Sequence, residues 1–182
     1  TWTKILNSKD KKVIREFKSY KNNNHIKKNL FYLNSIPHSS IMYRKNLAQK
    51  VGWYSKKLDY AQDYDLTLKI LGISDFYLIR KFLTNITTGE KNMSSINKYL
   101  LISIQETISI LEKNKNNKIL NKQDKLLLSK IIKINYLKLY LNMSKKQPFK
   151  NFLRIINIII RDPLIVLKIN LLSNINEQKK SN

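Results

Sequence analysis

Apolar residues recur at helical spacing over much of this chain, most tellingly at 61–73. At about 100° per residue, Tyr64, Leu66, Leu68, Ile70, Leu71 and Ile73 share one broad arc. Gln62, Asp65, Lys69 and Gly72 fill the other side. Asp63 falls inside the apolar arc with Thr67 one turn on, whereas Asp65 falls on the polar side one turn before Lys69, as a solvated i,i+4 pair would. Upstream, the pattern predicts a helix over Lys9–Tyr20 with Val13, Phe17 and Tyr20 on one side, a loop at 21–29, and extended segments at Leu30–Asn34 and Ser39–Arg44 around Pro37. A short helix over Lys45–Val51 is ended by Gly52. Phe76–Ile79 and Phe82–Thr87 read as strands and 88–92 as a turn. Helices follow from a Ser95 cap to about Lys113, over 122–143, 148–160 and 163–173, with 113–118 as a linker and a polar tail from Ser173. No internal repeat is visible.

An acid on an apolar arc is costly unless it is paired, hydrogen-bonded or used in chemistry. Asp59 followed by Tyr60-Ala61-Gln62 has capping-box spacing, with Asp59 as N-cap and Gln62 at the third helical position. Asp63 then closes the first turn, where the helix dipole favours a negative charge. That suits a general base. The plainer reading, an acid that starts the helix or pairs with a lysine, stays open on the pattern alone.

Composition narrows the chemistry. The chain has 182 residues, enough for a domain with a core. Three Gly and three Pro leave few tight turns, and no Gly-rich phosphate loop is present. The absence of Cys excludes disulfides, thiolate zinc sites and Cys nucleophiles, and suits a reducing compartment. With His only at 25 and 38, a histidine-rich metal site is excluded too. The net charge of +23 has two readings: a compositional bias towards Lys, Asn and Ile, or attraction to an anionic surface.

The stretch His38-Ser39-Ser40-Ile41-Met42-Tyr43-Arg44-Lys45 resembles a segment of the family 2 glycosyltransferases of GT-A fold. Val51-Gly52-Trp53-Tyr54 and Leu58-Asp59-Tyr60-Ala61-Gln62-Asp63-Tyr64-Asp65-Leu66 resemble the segment that follows it there. The likeness covers roughly residues 30–95, about a third of the chain. It implies an α/β fold, a partial GT-A domain over 1–95, followed by a mainly α-helical region over 96–182. It implies an inverting sugar transfer in cell-surface polysaccharide synthesis, from a nucleotide-sugar donor to a saccharide or polyprenyl-linked acceptor. By position Asp63 is the catalytic base; Gln62, which stands where the family has Glu, is a substrate-binding candidate with His38, Trp53 and Tyr54. His38, Trp53 and Tyr54 border the acceptor or the donor diphosphate. For His38 a backbone-bonded structural role is equally open, as is plain packing for Trp53 and Tyr54.

The family's donor half, with an Asp-x-Asp that holds a divalent metal (Mg or Mn), has no counterpart here. The resemblance therefore implies a C-terminal piece of a longer enzyme, inactive alone, with metal and nucleotide bound by the missing half. Asp63-Tyr64-Asp65 reads as Asp-x-Asp, but a helix points these two side chains about 200° apart, which does not suit one metal. Relatives carry basic residues after the second strand; NITTGEKNMSS offers only Lys91 in part.

The stretch 147–172 is strongly apolar, but Arg154, Arg161, Asp162 and Lys168 interrupt it, so it makes a poor membrane span. Asp162-Pro163 starts a new helix. Two short helices that lie in an anionic membrane interface, or a bundle packed on the catalytic region, both fit. The expected location is cytoplasmic, peripheral at the inner face of the plasma membrane. Two other classes remain: a basic nucleic-acid-binding module and a non-catalytic scaffold at a membrane surface. Against nucleic acid, the lysines are spread along the chain and no recognition motif is present.

Overall fold

The computed structural model describes residues 1–18, 24–34, 36–88, 97–143 and 148–162. Among these, three strands and six α-helices form a small α/β protein with a mixed sheet. The strands are β1 (Trp2–Asn7), β2 (Val13–Phe17) and β3 (Phe82–Thr88), in the order β2-β1-β3. β1 runs antiparallel to β2 and parallel to β3. The parallel pair requires a long crossover, and α1 (Asn24–Leu30), α2 (Lys45–Lys50) and α3 (Gln62–Leu71) supply it. α4 (Asn97–Asn114), α5 (Lys122–Met143) and α6 (Pro148–Arg161) follow.

The N-terminal segment corrects the expected helix over Lys9–Tyr20: it is the turn and second strand of a hairpin. Asn7 and Asp10 side chains accept from the Lys9 and Lys12 amides at 2.8 and 3.1 Å, which closes the turn locally. Val13 and Ile14 then favour the pleated strand over the helix. The expected loop at 21–29 is also corrected, since α1 spans Asn24–Leu30 and buries Ile26 and Leu30. His38–Ser40 form a 3-10 turn rather than part of a strand, closed by the Ser40 amide and hydroxyl on the Pro37 carbonyl at 2.9 and 2.8 Å. Residues 41–44 and 76–79 belong to no strand of the sheet. By contrast α2, α3, β3, α5 and α6 lie where the pattern puts them. The expected Ser95 cap, the turn beyond Thr88, Lys91, the helix at 163–173 and the polar tail lie outside the described residues.

One apolar cluster ties the helices together. Ile26, Leu30 and Phe31 meet Tyr64, Leu68 and Leu71 of α3, Ile110 and Leu111 of α4, and Leu128, Ile131 and Ile132 of α5. It draws on residues from both sides of position 95. A second cluster, Ala48, Leu66 and Ile70, joins α2 to the opposite side of α3. α5 begins with a reciprocal capping box: the Asp124 amide donates to Asn121 Oδ1 at 2.8 Å, and the Asn121 amide donates to Asp124 Oδ2 at 3.2 Å. The Tyr32 hydroxyl donates to Asp124 Oδ1 at 2.8 Å, which pins that helix end beside α1. Burial, and then the Asp124 carboxylate, push the Tyr32 phenol well up. No helix among the described residues is long and apolar enough to cross a membrane.

The buried Tyr64 hydroxyl donates to the Leu30 carbonyl at 2.6 Å. Tyr64→Phe leaves that buried oxygen without this donor, so the unfolding free energy should fall by about 1–3 kcal/mol in urea denaturation.

Candidate functional site

The site is built where three pieces of chain meet. The first is the 3-10 turn with the extended residues after it. The Thr1 nitrogen donates to the Ser40 carbonyl at 3.1 Å, so this turn is tied to the start of the central strand. The second is the end of α2. Gly52 has φ 82° and Trp53 has φ 58°, two left-handed residues in succession. Gly52 is suited to that conformation, whereas Trp53 is strained by it. The Trp53 amide donates to the Ala48 carbonyl at 2.8 Å, which fixes the reversal that presents Tyr54. The third piece is α3 itself.

These pieces place His38, Tyr43, Tyr54 and Asp63 together. Tyr54 Oη lies 3.0 Å from His38 Nε2 and 2.9 Å from Tyr43 Oη. The rings of His38 and Tyr54 meet edge to face with centroids 5.7 Å apart. Partial burial, the Tyr43 hydroxyl and the negative charge of Asp63 together push the Tyr54 phenol up to about 12. His38 thus bonds to a tyrosine, not to backbone. The remaining two candidates, Trp53 and Gln62, take no part in these hydrogen bonds. Trp53 is 39 % exposed. Gln62 Oε1 is buried without a partner among the described residues.

The structure reverses the expected environments of the two acids. Asp65 is the buried one, at 4 % exposure, with its carboxylate 2.6 Å from Lys69 Nζ. Asp63 is half-buried, and its Oδ1 accepts the Tyr64 amide at 2.7 Å. α3 packs on two opposite faces, and Asp65 lies between them with its carboxylate held by Lys69. The two carboxylates do not converge, and no group of three or more His, Asp or Glu side chains that could hold a metal occurs among the described residues.

The expected capping box at Asp59 is likewise corrected. The N-cap of α3 is Ala61, with no side-chain cap of its own. Glu106 of α4 instead binds the segment that leads into α3. Its Oε1 accepts the Asp59 amide at 2.8 Å, and its Oε2 accepts the Tyr60 and Ala61 amides at 2.9 and 2.8 Å. Tyr99 stacks on Tyr60 with centroids 4.9 Å apart, which fixes the same approach. Sequence reasoning missed Glu106. Its signal was an acid one turn before the apolar Ile110 on α4, the kind of anomaly that singled out Asp63.

Beside the cluster lies an open cleft of about 500 Å³, lined by Ile36, His38, Met42, Tyr43, Thr67 and Tyr77 among others. Asp63 does not line it. Its neighbour one turn on, Thr67, does, and the Thr67 hydroxyl donates to the Asp63 carbonyl at 2.7 Å. On α3 the cleft follows Leu66, Thr67 and Ile70, one turn and more beyond the acid.

Two outcomes test this geometry. Glu106→Gln swaps one acceptor oxygen for an amide donor that faces backbone N–H, so urea denaturation should show about 1–3 kcal/mol less stability, and Glu106→Ala a larger loss. The Tyr54 phenol is raised from 10.0 to about 12, so the fold favours its neutral form. That contribution is present in full below pH 10 and is lost as pH rises towards 12. Tyrosinate absorbance of the wild type minus that of Tyr54→Phe should titrate near pH 12, not near pH 10.

Comparison with protein-family models, with curated proteins and with solved structures yields no match. The resemblance to family 2 glycosyltransferases stands on the residues quoted for it.

Proposed function

We propose that this chain is the acceptor-side part of an inverting family 2 glycosyltransferase of GT-A type. It moves a sugar from a nucleotide-sugar donor to a hydroxyl of a saccharide or polyprenyl-linked acceptor in cell-surface polysaccharide synthesis. The enzyme works in the cytoplasm, at the inner face of the plasma membrane. The observation that carries this reading is the gathering of His38, Tyr43 and Tyr54 beside Asp63, because the resembling segments contribute all four residues to one place. Support also comes from the cleft that leads to them.

In the reaction Asp63 takes the proton of the acceptor hydroxyl as that oxygen bonds to the anomeric carbon. The bond from that carbon to the diphosphate oxygen breaks, and its electron pair leaves with the nucleotide diphosphate. A single displacement inverts the anomeric centre. Tyr54, held protonated by its surroundings, keeps its hydroxyl as a donor within the His38–Tyr43 chain. Gln62 Oε1 offers an unused acceptor next to the base. The exposed Trp53 ring offers a stacking surface for a sugar. A divalent metal, Mg or Mn, and the nucleotide are assigned to the donor half outside this chain. Asp65, engaged by Lys69, is not given a metal-binding part in this reading.

The test is Asp63→Asn in the enzyme joined to its donor half, assayed with a range of nucleotide-sugars. The expected loss in kcat is about 10²–10⁴-fold with the fold intact. Asp65→Asn in the same protein should lower stability and leave kcat within a few-fold. Full turnover by the Asp63→Asn enzyme would remove Asp63 as the base.

A further inference from the structure

Helix α6 has three faces where an ordinary surface helix has two. At about 3.6 residues per turn, Asn151, Ile155, Ile158, Ile159 and Asp162 fall on one side. This side packs: Asn151 is fully buried, and Asp162 lies 3.6 Å from Lys133 of α5. A second arc of about 100° carries Phe149, Phe152, Leu153, Ile156 and Ile160. Phe149 and Ile160 are 73 % and 71 % exposed, and Phe152 and Leu153 are 57 % and 52 % exposed. The third arc holds Lys150, Arg154, Asn157 and Arg161, all exposed. Arg154 also lies over the Tyr140 ring, 5.2 Å from its centroid. Pro148–Arg161 contains no acid.

The packed face already joins α6 to α5. The second apolar stripe is therefore surplus to the fold as described. Two phenylalanines and two large aliphatics facing water are unfavourable unless something apolar covers them. The cations beside the stripe say what kind of cover fits. An acyl boundary accepts the apolar side chains, while lysine and arginine heads reach anionic lipid phosphates. A nucleic-acid phosphate backbone would match the cations but leave the stripe in water. The helix is too short and too charged to span the bilayer, so it lies along it.

We propose that α6 is a membrane-docking helix. Phe149, Phe152, Leu153 and Ile160 enter the acyl boundary of an anionic bilayer, and Lys150, Arg154 and Arg161 contact its lipid phosphates. The assignment does not depend on sugar transfer, and it is read without any donor.

The experiment sediments the full chain with vesicles of phosphatidylcholine alone and of phosphatidylcholine mixed with phosphatidylglycerol. The wild type should bind the anionic vesicles. Phe149→Ser with Phe152→Ser should weaken that binding at least about tenfold with helix content unchanged by circular dichroism. Neutralising Lys150, Arg154 and Arg161 to Gln should cost about fivefold per residue. Lys9→Gln, Lys11→Gln and Lys12→Gln together remove the same charge from the exposed hairpin turn and should cost far less. Failure of the wild type to bind anionic vesicles overturns the proposal. An equal loss from the hairpin triple, or unchanged binding by the phenylalanine double, reduces the attraction to overall charge and overturns it as well. A dimer that the phenylalanine double dissolves, with no change in vesicle binding, would make this face a contact between copies instead.

Discussion

Helix α3 is packed on opposite sides at once, and the rest of the molecule is arranged around that constraint. Tyr64, Leu68 and Leu71 enter the main apolar cluster while Leu66 and Ile70 enter the second. Seven of its ten residues are buried. A helix so enclosed has little access to water for the amides at its start, and its N-cap, Ala61, has no side chain to cap them. Asp63 Oδ1 accepts one first-turn amide, that of Tyr64, and the carboxylate of Glu106 accepts the three amides that lead into the helix. α4 must therefore dock with Glu106 at the entry to α3. α5 then closes the main cluster from Leu128 to Ile132. On the other side, the second cluster holds α2, and through it the reversal that presents Trp53 and Tyr54.

Elements whose signals are local could be read from the sequence. α5 runs over 122–143 as expected because its start is fixed by Asn121 and Asp124, three residues apart. β3 shows its alternation openly in FLTNITT. The hairpin could not be read this way. Val13 and Phe17 are four residues apart, a spacing that serves a helix face or one side of a strand equally well. What decides between them is β1, whose other neighbour, β3, lies some eighty residues on in the chain. The cap of α3 is non-local in the same way, since Glu106 is 47 residues from Asp59. The burial of Asp65 is not visible on a helical wheel, which places it on the polar side one turn before Lys69 and carries no information on what the rest of the fold lays over that side. Of the site, His38, Tyr54 and Asp63 were legible by resemblance, whereas the part of Tyr43 in joining them was not.

The charge of the chain acquires meaning only where geometry selects it. There are 35 Lys and Arg against 12 Asp and Glu, so one-to-one pairing leaves most cations facing solvent or an outside anion. Lys69, Lys27 and Lys133 are engaged by Asp65, Asp75 and Asp162. The excess alone names no partner, because any anionic surface would attract it. Lys150, Arg154 and Arg161 stand beside the apolar stripe of α6, and it is the stripe that discriminates among anions.

Burial is the wrong criterion for choosing a base between two acids. A base must reach its substrate and must have a free lone pair. Asp65 has the lower exposure, but its carboxylate is engaged by Lys69. Asp63 binds only its own helix start and acts electrically on Tyr54. The Tyr54 hydroxyl has one proton to share between two neighbours, Tyr43 and His38. When His38 Nε2 is bare, Tyr54 donates to it and Tyr43 donates to Tyr54. When Nε2 carries a proton it donates, and the chain runs the other way, from His38 through Tyr54 to Tyr43. The hydrogen on one ring nitrogen thus sets the direction of the His38–Tyr54–Tyr43 chain. The negative charge of Asp63 in turn helps keep Tyr54 neutral. Phenol and imidazole therefore form one hydrogen-bonded chain, held by a 3-10 turn and a left-handed tryptophan, within the electrical reach of the acid.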